Sequence, residues 1–138
     1  MSSSTEVAHG FSKLWFTGRL ELLQGLNQEA VHRFSAMMRR TKRQRGEWVF
    51  VHGDTADSIY ILQKGRMKIT ALSADGHEVV HEIVRPGEIF GHTSTILGIP
   101  RTTSAQTLEP SLLCEIRHKD FESLLTAYPE LLLQLLKQ

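Results

Sequence analysis

The sequence has little cysteine, no excess of either charge and no long apolar run, and each scarcity excludes a class of protein. Cys114 is the only cysteine among 138 residues, which excludes an intramolecular disulfide and a zinc or iron–sulfur site made from the cysteines of one chain. The formal net charge of +1 is too balanced for a surface that coats nucleic acid or a membrane. No apolar run approaches the ~20 residues that span a bilayer, and the first residues lack the features of a secretory signal. These absences predict a soluble cytoplasmic domain without membrane contact.

The composition is that of an ordinary globular domain. Hydrophobic residues make up 41% and charged residues 22% of the chain, which argues against general disorder. The sequence contains neither a G-x-S-x-G motif nor a phosphate-binding loop lysine, and its His, Ser and Asp residues follow no catalytic order. His77 and His81 have a spacing that suits zinc on a helix, but they lie in a predicted strand, where four residues span ~13 Å. We therefore expect neither an enzyme nor a metal site.

Helical periodicity marks both ends of the chain, and short β-type runs fill its middle. Asn27 is placed to cap a helix with an apolar stripe, and Arg39 and Arg40 would lie at its C-terminal end. Asp75 and Gly76 separate two alternating runs and predict a hairpin. The pattern predicts strands at 48–51, 59–62, 67–70, 79–84, 103–107 and 111–116, and helices at 120–126 and 130–137.

So many short strands predict a small barrel or jelly roll. We expect a single α+β domain, an antiparallel β-roll of the jelly-roll type with flanking N-terminal helices and a C-terminal helix. Residues 1–13 carry no period and are interpreted as a flexible arm. In the strand at 111–116, Leu112, Cys114 and Ile116 fall on one face, and Cys114 is interpreted as a core residue.

The C-terminal helix is apolar on most of its circumference. Leu131, Leu132, Leu135 and Leu136 present more apolar surface than one barrel is expected to cover. Either the helix packs between its own barrel and a partner, or it is the beginning of a longer helix. A parallel pairing of two such helices predicts a homodimer.

The segment 86–105 contains the most informative pattern in the chain. It predicts a turn, a strand, a tight turn at Gly91, a short helix rich in hydroxyl groups, and a loop that ends in Pro100-Arg101. Free N–H groups of a short helix and an arginine together suit an anion, and Arg101 can hold a phosphate through two parallel bonds. Arg101 is expected in a surface loop. The alternative is that Arg101 only holds its loop together through a carboxylate such as Glu88 or Glu109.

This segment resembles the phosphate-binding cassette of cyclic nucleotide-binding domains, in which Phe-Gly-Glu and a short helix precede Pro-Arg and small residues. Phe90-Gly91 and Pro100-Arg101-Thr102-Thr103 match that pattern, and Gly46-Glu47, Gly53-Asp54 and Asp75-Gly76 match its β-roll. Residues 14–138, nearly the whole chain, are similar to the effector domain of Crp/Fnr transcription regulators (the catabolite-activator and fumarate–nitrate type). The resemblance implies a domain at 14–128, a dimerisation helix that begins within 129–138, and DNA contact only through a helix-turn-helix that this sequence does not contain.

The same resemblance implies a signal-sensing function, in which a small-molecule effector binds in the cassette 90–103 and repositions the C-terminal helix. The implied ligand is cAMP, cGMP or another phosphate-bearing or acidic small molecule. The implied ligand-binding residues are Phe90, Gly91, His92, Thr93, Ser94, Arg101, Thr102 and Thr103.

Two features leave other functions open. His92 occupies the position of a glutamate that accepts a hydrogen bond from the ribose, and Thr93, Ser94 and Thr95 replace residues that are mostly apolar in the family. One alternative is a haem- or other cofactor-dependent gas or redox sensor that uses His92. Another is an interaction module with an empty cassette. The basic cluster Arg39, Arg40, Lys42, Arg43 and Arg45 suits nucleic acid, but a helix end followed by an exposed strand edge explains it equally well.

Overall fold

The structure, a computed structural model, describes residues 13–18 and 20–137 of the chain. Residues 1–12, most of the segment expected to be an arm, lie outside the described residues. The chain divides into two compact units, a β-unit at Arg40–His118 and a helical unit formed by the described residues through Arg39 and from Lys119 onward. None of the helices formed by residues 13–18 and 20–137 combines the length and the apolar character that a membrane crossing requires.

The β-unit is a roll of two four-stranded antiparallel sheets, as predicted. One sheet has the order β1-β8-β3-β6 and the other β2-β7-β4-β5. Both sheets contribute to one apolar core, which includes Phe50, Leu62, Met67 and Leu113. The strands are β1 Arg39–Arg43, β2 Trp48–Phe50, β3 Ser58–Lys64, β4 Met67–Leu72, β5 Glu78–Val84, β6 Ile89–Phe90, β7 Ser104–Thr107 and β8 Ser111–Arg117.

Local turn chemistry sets the hairpin of β4 and β5. Gly76 has φ +88°, a left-handed conformation that glycine adopts without steric cost, and His77 donates its backbone N–H to Ser73 Oγ. The two strands pair from Leu72 opposite Glu78 to Met67 opposite Val84, with a register shift between Ile69 and Thr70. The hairpin predicted from Asp75-Gly76 is therefore present.

Two expectations about the strands gain detail from the structure. Arg39 and Arg40 follow the C-terminal end of the helix Gln28–Met37 and begin the edge strand β1, next to β8, which agrees with the alternative of a helix end followed by a strand edge. In β8, Leu113 is as deeply buried as Cys114, although the two lie on opposite faces. Successive side chains of a strand point to opposite faces, so β8 is covered on both sides. Cys114 lies in the core, as predicted.

The helical unit contains α1 Lys13–Gly18, a short 3₁₀ helix at Glu21–Leu23, α2 Gln28–Met37, α4 His118–Ala127 and α5 Glu130–Leu135. Asn27 caps α2 as predicted, since its side-chain oxygen accepts the backbone N–H of Ala30 at 2.9 Å. The rings of Phe34 and Phe121 pack edge to face with their centroids 6.4 Å apart, which joins α2 to α4.

Helix α5 packs only part of its apolar circumference. Leu131 and Leu135, four residues apart, are buried, and the helix contacts the 3₁₀ segment. Leu132, Leu133 and Leu136 remain exposed, Leu136 to 76%. Of the four leucines expected to exceed what one barrel covers, Leu131 and Leu135 are thus covered by the chain itself, and Leu132 and Leu136 are left exposed.

Candidate ligand-binding site

The candidate site begins where β6 turns into the short helix α3, His92–Leu97. Phe90 ends β6 deep in the core, opposite Tyr60 of β3. Gly91 follows with φ +74°, in the left-handed region. A Cβ at this position would lie 2.9 Å from Nη1 of Arg101 and 3.1 Å from the Phe50 ring. Glycine is required at residue 91 both for its conformation and for this close approach.

The loop between α3 and β7 is fastened to the turn that follows β2. The backbone N–H of Arg101 donates to the Asp54 carbonyl at 2.8 Å, and the Gly53 N–H donates to the Arg101 carbonyl at 2.8 Å. Asp54 also accepts the Val51 N–H through its carboxylate, which closes the turn. These bonds hold the main chain of Arg101 against the turn at Gly53 and Asp54.

The Arg101 side chain turns inward instead of lying in a surface loop as expected. Only 3% of the residue is exposed. Its Nη1 donates to the Gly91 carbonyl, and its Nη2 donates to the Ser58 carbonyl at 2.7 Å. The guanidinium carbon lies 4.2 Å from the centroid of the Phe50 ring and 5.9 Å from that of Tyr60. Aromatic faces and carbonyl oxygens thus hold the cation in place.

The alternative that Glu88 or Glu109 holds Arg101 is also wrong. Within the part of the chain that the structure describes, the hydrogen bonds of the Arg101 side chain go to carbonyl oxygens and none goes to a carboxylate. The Glu88 carboxylate instead accepts the backbone N–H of Arg85. Burial lowers the pKa of Arg101, but an arginine remains protonated in a protein. The site therefore contains a buried cation whose hydrogen bonds go to carbonyl oxygens, while the charges of Asp57 and Asp54 act on it without a hydrogen bond and raise its pKa.

Two buried nitrogen atoms of the site have no hydrogen-bond partner, Nε of Arg101 and Nδ1 of His92. Buried polar atoms are usually paired, so each marks a place where a further group could bind. Burial lowers the pKa of His92, which keeps the imidazole neutral at pH 7. A neutral imidazole offers one donor and one acceptor, where a glutamate would offer a negative charge.

The remaining predicted site residues differ in how deeply they are buried. Thr93 and Thr102 are exposed, Thr103 is half-buried, and Ser94 is buried in α3. The structure brings Gly91 and Arg101 into direct contact, whereas Phe90 is a core residue.

Four residues that the sequence analysis did not assign to the site also contact Arg101 or the carbonyls that bind it: Phe50, Ser58, Tyr60 and Thr95. In the sequence, the one indication of these contacts was the hydroxyl of Thr95 at a position where apolar residues are expected. No group of three or more potential metal ligands occurs among residues 13–18 and 20–137.

A β-roll of this topology, with an arginine and a short helix after a left-handed glycine, defines a class of regulatory ligand-binding domain. Residues 40–128 match the cyclic nucleotide-binding domain family, and the chain belongs to that family. Its family and fold are those of regulatory domains rather than enzymes.

Two of the relatives are bacterial transcription regulators. The chain is 29% identical over 119 residues to the CRP-like cAMP-activated global transcriptional regulator of Mycobacterium tuberculosis, covering 86% of this chain and 53% of that protein. It is 31% identical over 113 residues to the transcriptional activator Anr of Pseudomonas protegens, covering 81% of this chain and 46% of that protein. The chain thus spans about half the length of the curated relatives it matches.

A solved structure has the same fold. The catabolite activator protein of Thermus thermophilus superposes with a TM-score of 0.79 at 25% identity, over 85% of this chain and 55% of that one. The predictions of a β-roll fold and of the Crp/Fnr resemblance are confirmed.

Proposed function

We propose that this chain is the ligand-sensing effector domain of a Crp/Fnr-type transcription regulator. Its ligand is a phosphate-bearing small molecule, cAMP or cGMP, bound by the cassette 90–103. Arg101 binds the phosphate, His92 contacts the sugar, and the hydroxyl groups of Thr102 and Thr103 donate to phosphate oxygens. The cyclic nucleotide-binding family and the cAMP-activated relative support this ligand class.

One observation carries the proposal, namely a buried cation that makes no hydrogen bond to a carboxylate and whose Nε has no partner. Burying a charge is costly unless an opposite charge or a full set of hydrogen bonds compensates for it. Arg101 has two carbonyl partners, and its Nε has none. A phosphate would place a negative charge in direct contact with the guanidinium and accept from Nε and one Nη together.

Because Arg101 is only 3% exposed, its side chain in this proposal turns outward to reach the phosphate and thereby gives up its carbonyl partners. A ligand shifts a protein between two arrangements only by binding one of them more tightly. In this proposal, the ligand favours the arrangement in which Arg101 points toward it. The change reaches the C-terminal helix that begins near Pro129, through which two copies of the domain pair and signal to a DNA-binding domain.

The first prediction concerns Arg101. We expect Arg101→Ala to weaken binding of cAMP or cGMP at least tenfold, because a charge-assisted bidentate contact is lost. Isothermal titration calorimetry of the parent and the variant measures the change. Arg66→Ala is the matched control, since Arg66 is exposed in the turn between β3 and β4.

Equal affinities of Arg101→Ala and the parent would remove Arg101 from the site. If the parent binds neither nucleotide, the ligand class is wrong. In that case, a Soret band that appears on adding haem to the parent and not to His92→Ala would assign the cassette to a cofactor sensor.

A further inference from the structure

Arg101 and Thr95 donate to the same two carbonyl oxygens. Thr95 Oγ1 lies 2.7 Å from the Ser58 carbonyl oxygen and 2.9 Å from that of Gly91. Arg101 reaches the Ser58 oxygen with Nη2 and the Gly91 oxygen with Nη1. Thr95 is 1% exposed and Ser58 is 5% exposed. The two side chains therefore share a small buried set of acceptors between the start of β3 and the start of α3.

Because the two side chains share these acceptors, the hydroxyl of Thr95 decides whether the Ser58 carbonyl oxygen keeps a side-chain donor when Arg101 turns away. A carbonyl oxygen buried without a donor costs free energy comparable to a lost hydrogen bond. A threonine hydroxyl has one proton, so it can donate to either oxygen and can turn from one to the other. Without a hydroxyl at residue 95, the departure of Arg101 would leave the buried Ser58 oxygen without its side-chain donors.

We infer that Thr95 is a positioning residue that allows Arg101 to exchange its inward contacts for a phosphate. Its hydroxyl keeps the Ser58 carbonyl bonded after Nη2 departs, which lowers the cost of turning Arg101 toward the ligand. The inference rests on the proposed function for its ligand. The equilibrium between the two directions of Arg101, however, exists without a ligand and can be measured without one.

The experiment compares two substitutions that differ in the hydroxyl. Thr95→Val keeps the shape and removes the donor, and Thr95→Ser keeps the donor and removes the methyl group. Thr17→Val is the matched control, because Thr17 is also buried and donates its hydroxyl to a carbonyl four residues earlier, that of Lys13, at 2.6 Å. Thr95→Ala replaces the valine variant if that variant does not fold, as judged by circular dichroism.

The first readout is hydrogen exchange of the Arg101 Nε–H in the ligand-free protein, followed by nuclear magnetic resonance. Arg101→Lys removes this resonance and so identifies it. We expect exchange about tenfold slower in Thr95→Val than in the parent, because the outward arrangement loses about 1.4 kcal/mol, the equivalent of a tenfold change. Exchange in Thr95→Ser and in Thr17→Val should stay within about twofold of the parent.

A purely structural role for Thr95 predicts the opposite change in the exchange rate of the Arg101 Nε–H. Loosened packing would let Arg101 open more often, so exchange would become faster in Thr95→Val. Exchange that is equal to the parent or faster would overturn the inference.

The second readout is the affinity for cAMP measured by calorimetry. We expect Thr95→Val to bind about tenfold more weakly and Thr95→Ser to bind like the parent. Unchanged affinity in Thr95→Val, with binding by the parent, would also overturn the inference. If the parent binds neither cAMP nor cGMP, the proposed function fails, and the exchange measurement still decides the role of Thr95.

Discussion

At the scale of single residues, the site is defined by side chains whose partners are distant in sequence. Arg101 binds the carbonyl of a residue 43 positions earlier, and Thr95 binds the same carbonyl from 37 positions away. The sequence pattern predicts Arg101 as an anion-binding group, but its inward direction depends on Phe50 and on β3, which no local pattern includes. The contact between Thr95 and Ser58 could not be predicted for the same reason.

His92 carries a prediction about ligand specificity. We expect His92→Glu to strengthen cAMP binding about tenfold, because a carboxylate makes a charge-assisted bond to a ribose hydroxyl that a neutral imidazole cannot make. Calorimetry with cAMP measures the change, and His92→Gln, whose amide oxygen is an acceptor without a negative charge, is the control. An affinity that does not rise would show that the ligand presents no hydroxyl at residue 92.

His92 also carries a prediction about stability and pH. Burial lowers the pKa of His92 below its ordinary 6.5, so the unfolded chain takes up this proton at a higher pH than the folded one. As the pH falls below about 6.5, the unfolded state binds more protons and the free energy of unfolding decreases. We therefore expect His92→Gln to lose less stability than the parent between about pH 7 and pH 5.

Urea unfolding at several pH values measures this difference. His81→Gln, at an exposed position of β5, is the control and should follow the parent. If the free energy of unfolding changes with pH in the same way in His92→Gln and in the parent, the loss of stability does not come from His92.

At the scale of elements, the parts set by local chemistry were predicted directly, whereas β1 was predicted only as an alternative, a strand edge that follows a helix end. The Asn27 cap and the Asp75-Gly76 turn depend on neighbouring residues, and both elements are present as predicted. Strand β1 has the sequence Arg-Arg-Thr-Lys-Arg, which shows no apolar alternation. It is a strand because it lies next to β8, which is distant in the chain. Tertiary pairing there outweighs local preference.

At the scale of the whole molecule, the exposed leucines of α5 carry a prediction about assembly. We expect the parent to form a weak dimer, and Leu132→Glu combined with Leu136→Glu to weaken it about a hundredfold or more. Each buried leucine is worth ~1.5–3 kcal/mol, and a charge in its place would be buried at the interface. Sedimentation velocity over a range of concentrations measures the dimer.

The choice of positions follows from the structure. Leu135 is buried within its own unit, so changing it would test folding rather than assembly. Leu72→Glu is the control, because Leu72 is equally apolar and exposed but lies at the end of β4. A parent that sediments as a monomer at every concentration would contradict the dimer.

The two backbone bonds that fasten residue 101 to the turn at Gly53 and Asp54 restrict what kind of motion the site can make. Because the main chain is held from both directions, the guanidinium changes its direction by rotation about side-chain bonds. Such a rotation displaces few atoms of the roll and requires no rebuilding of a strand. In the proposed function, the first step of a signal that starts at Arg101 would therefore be a switch between rotamers of one side chain.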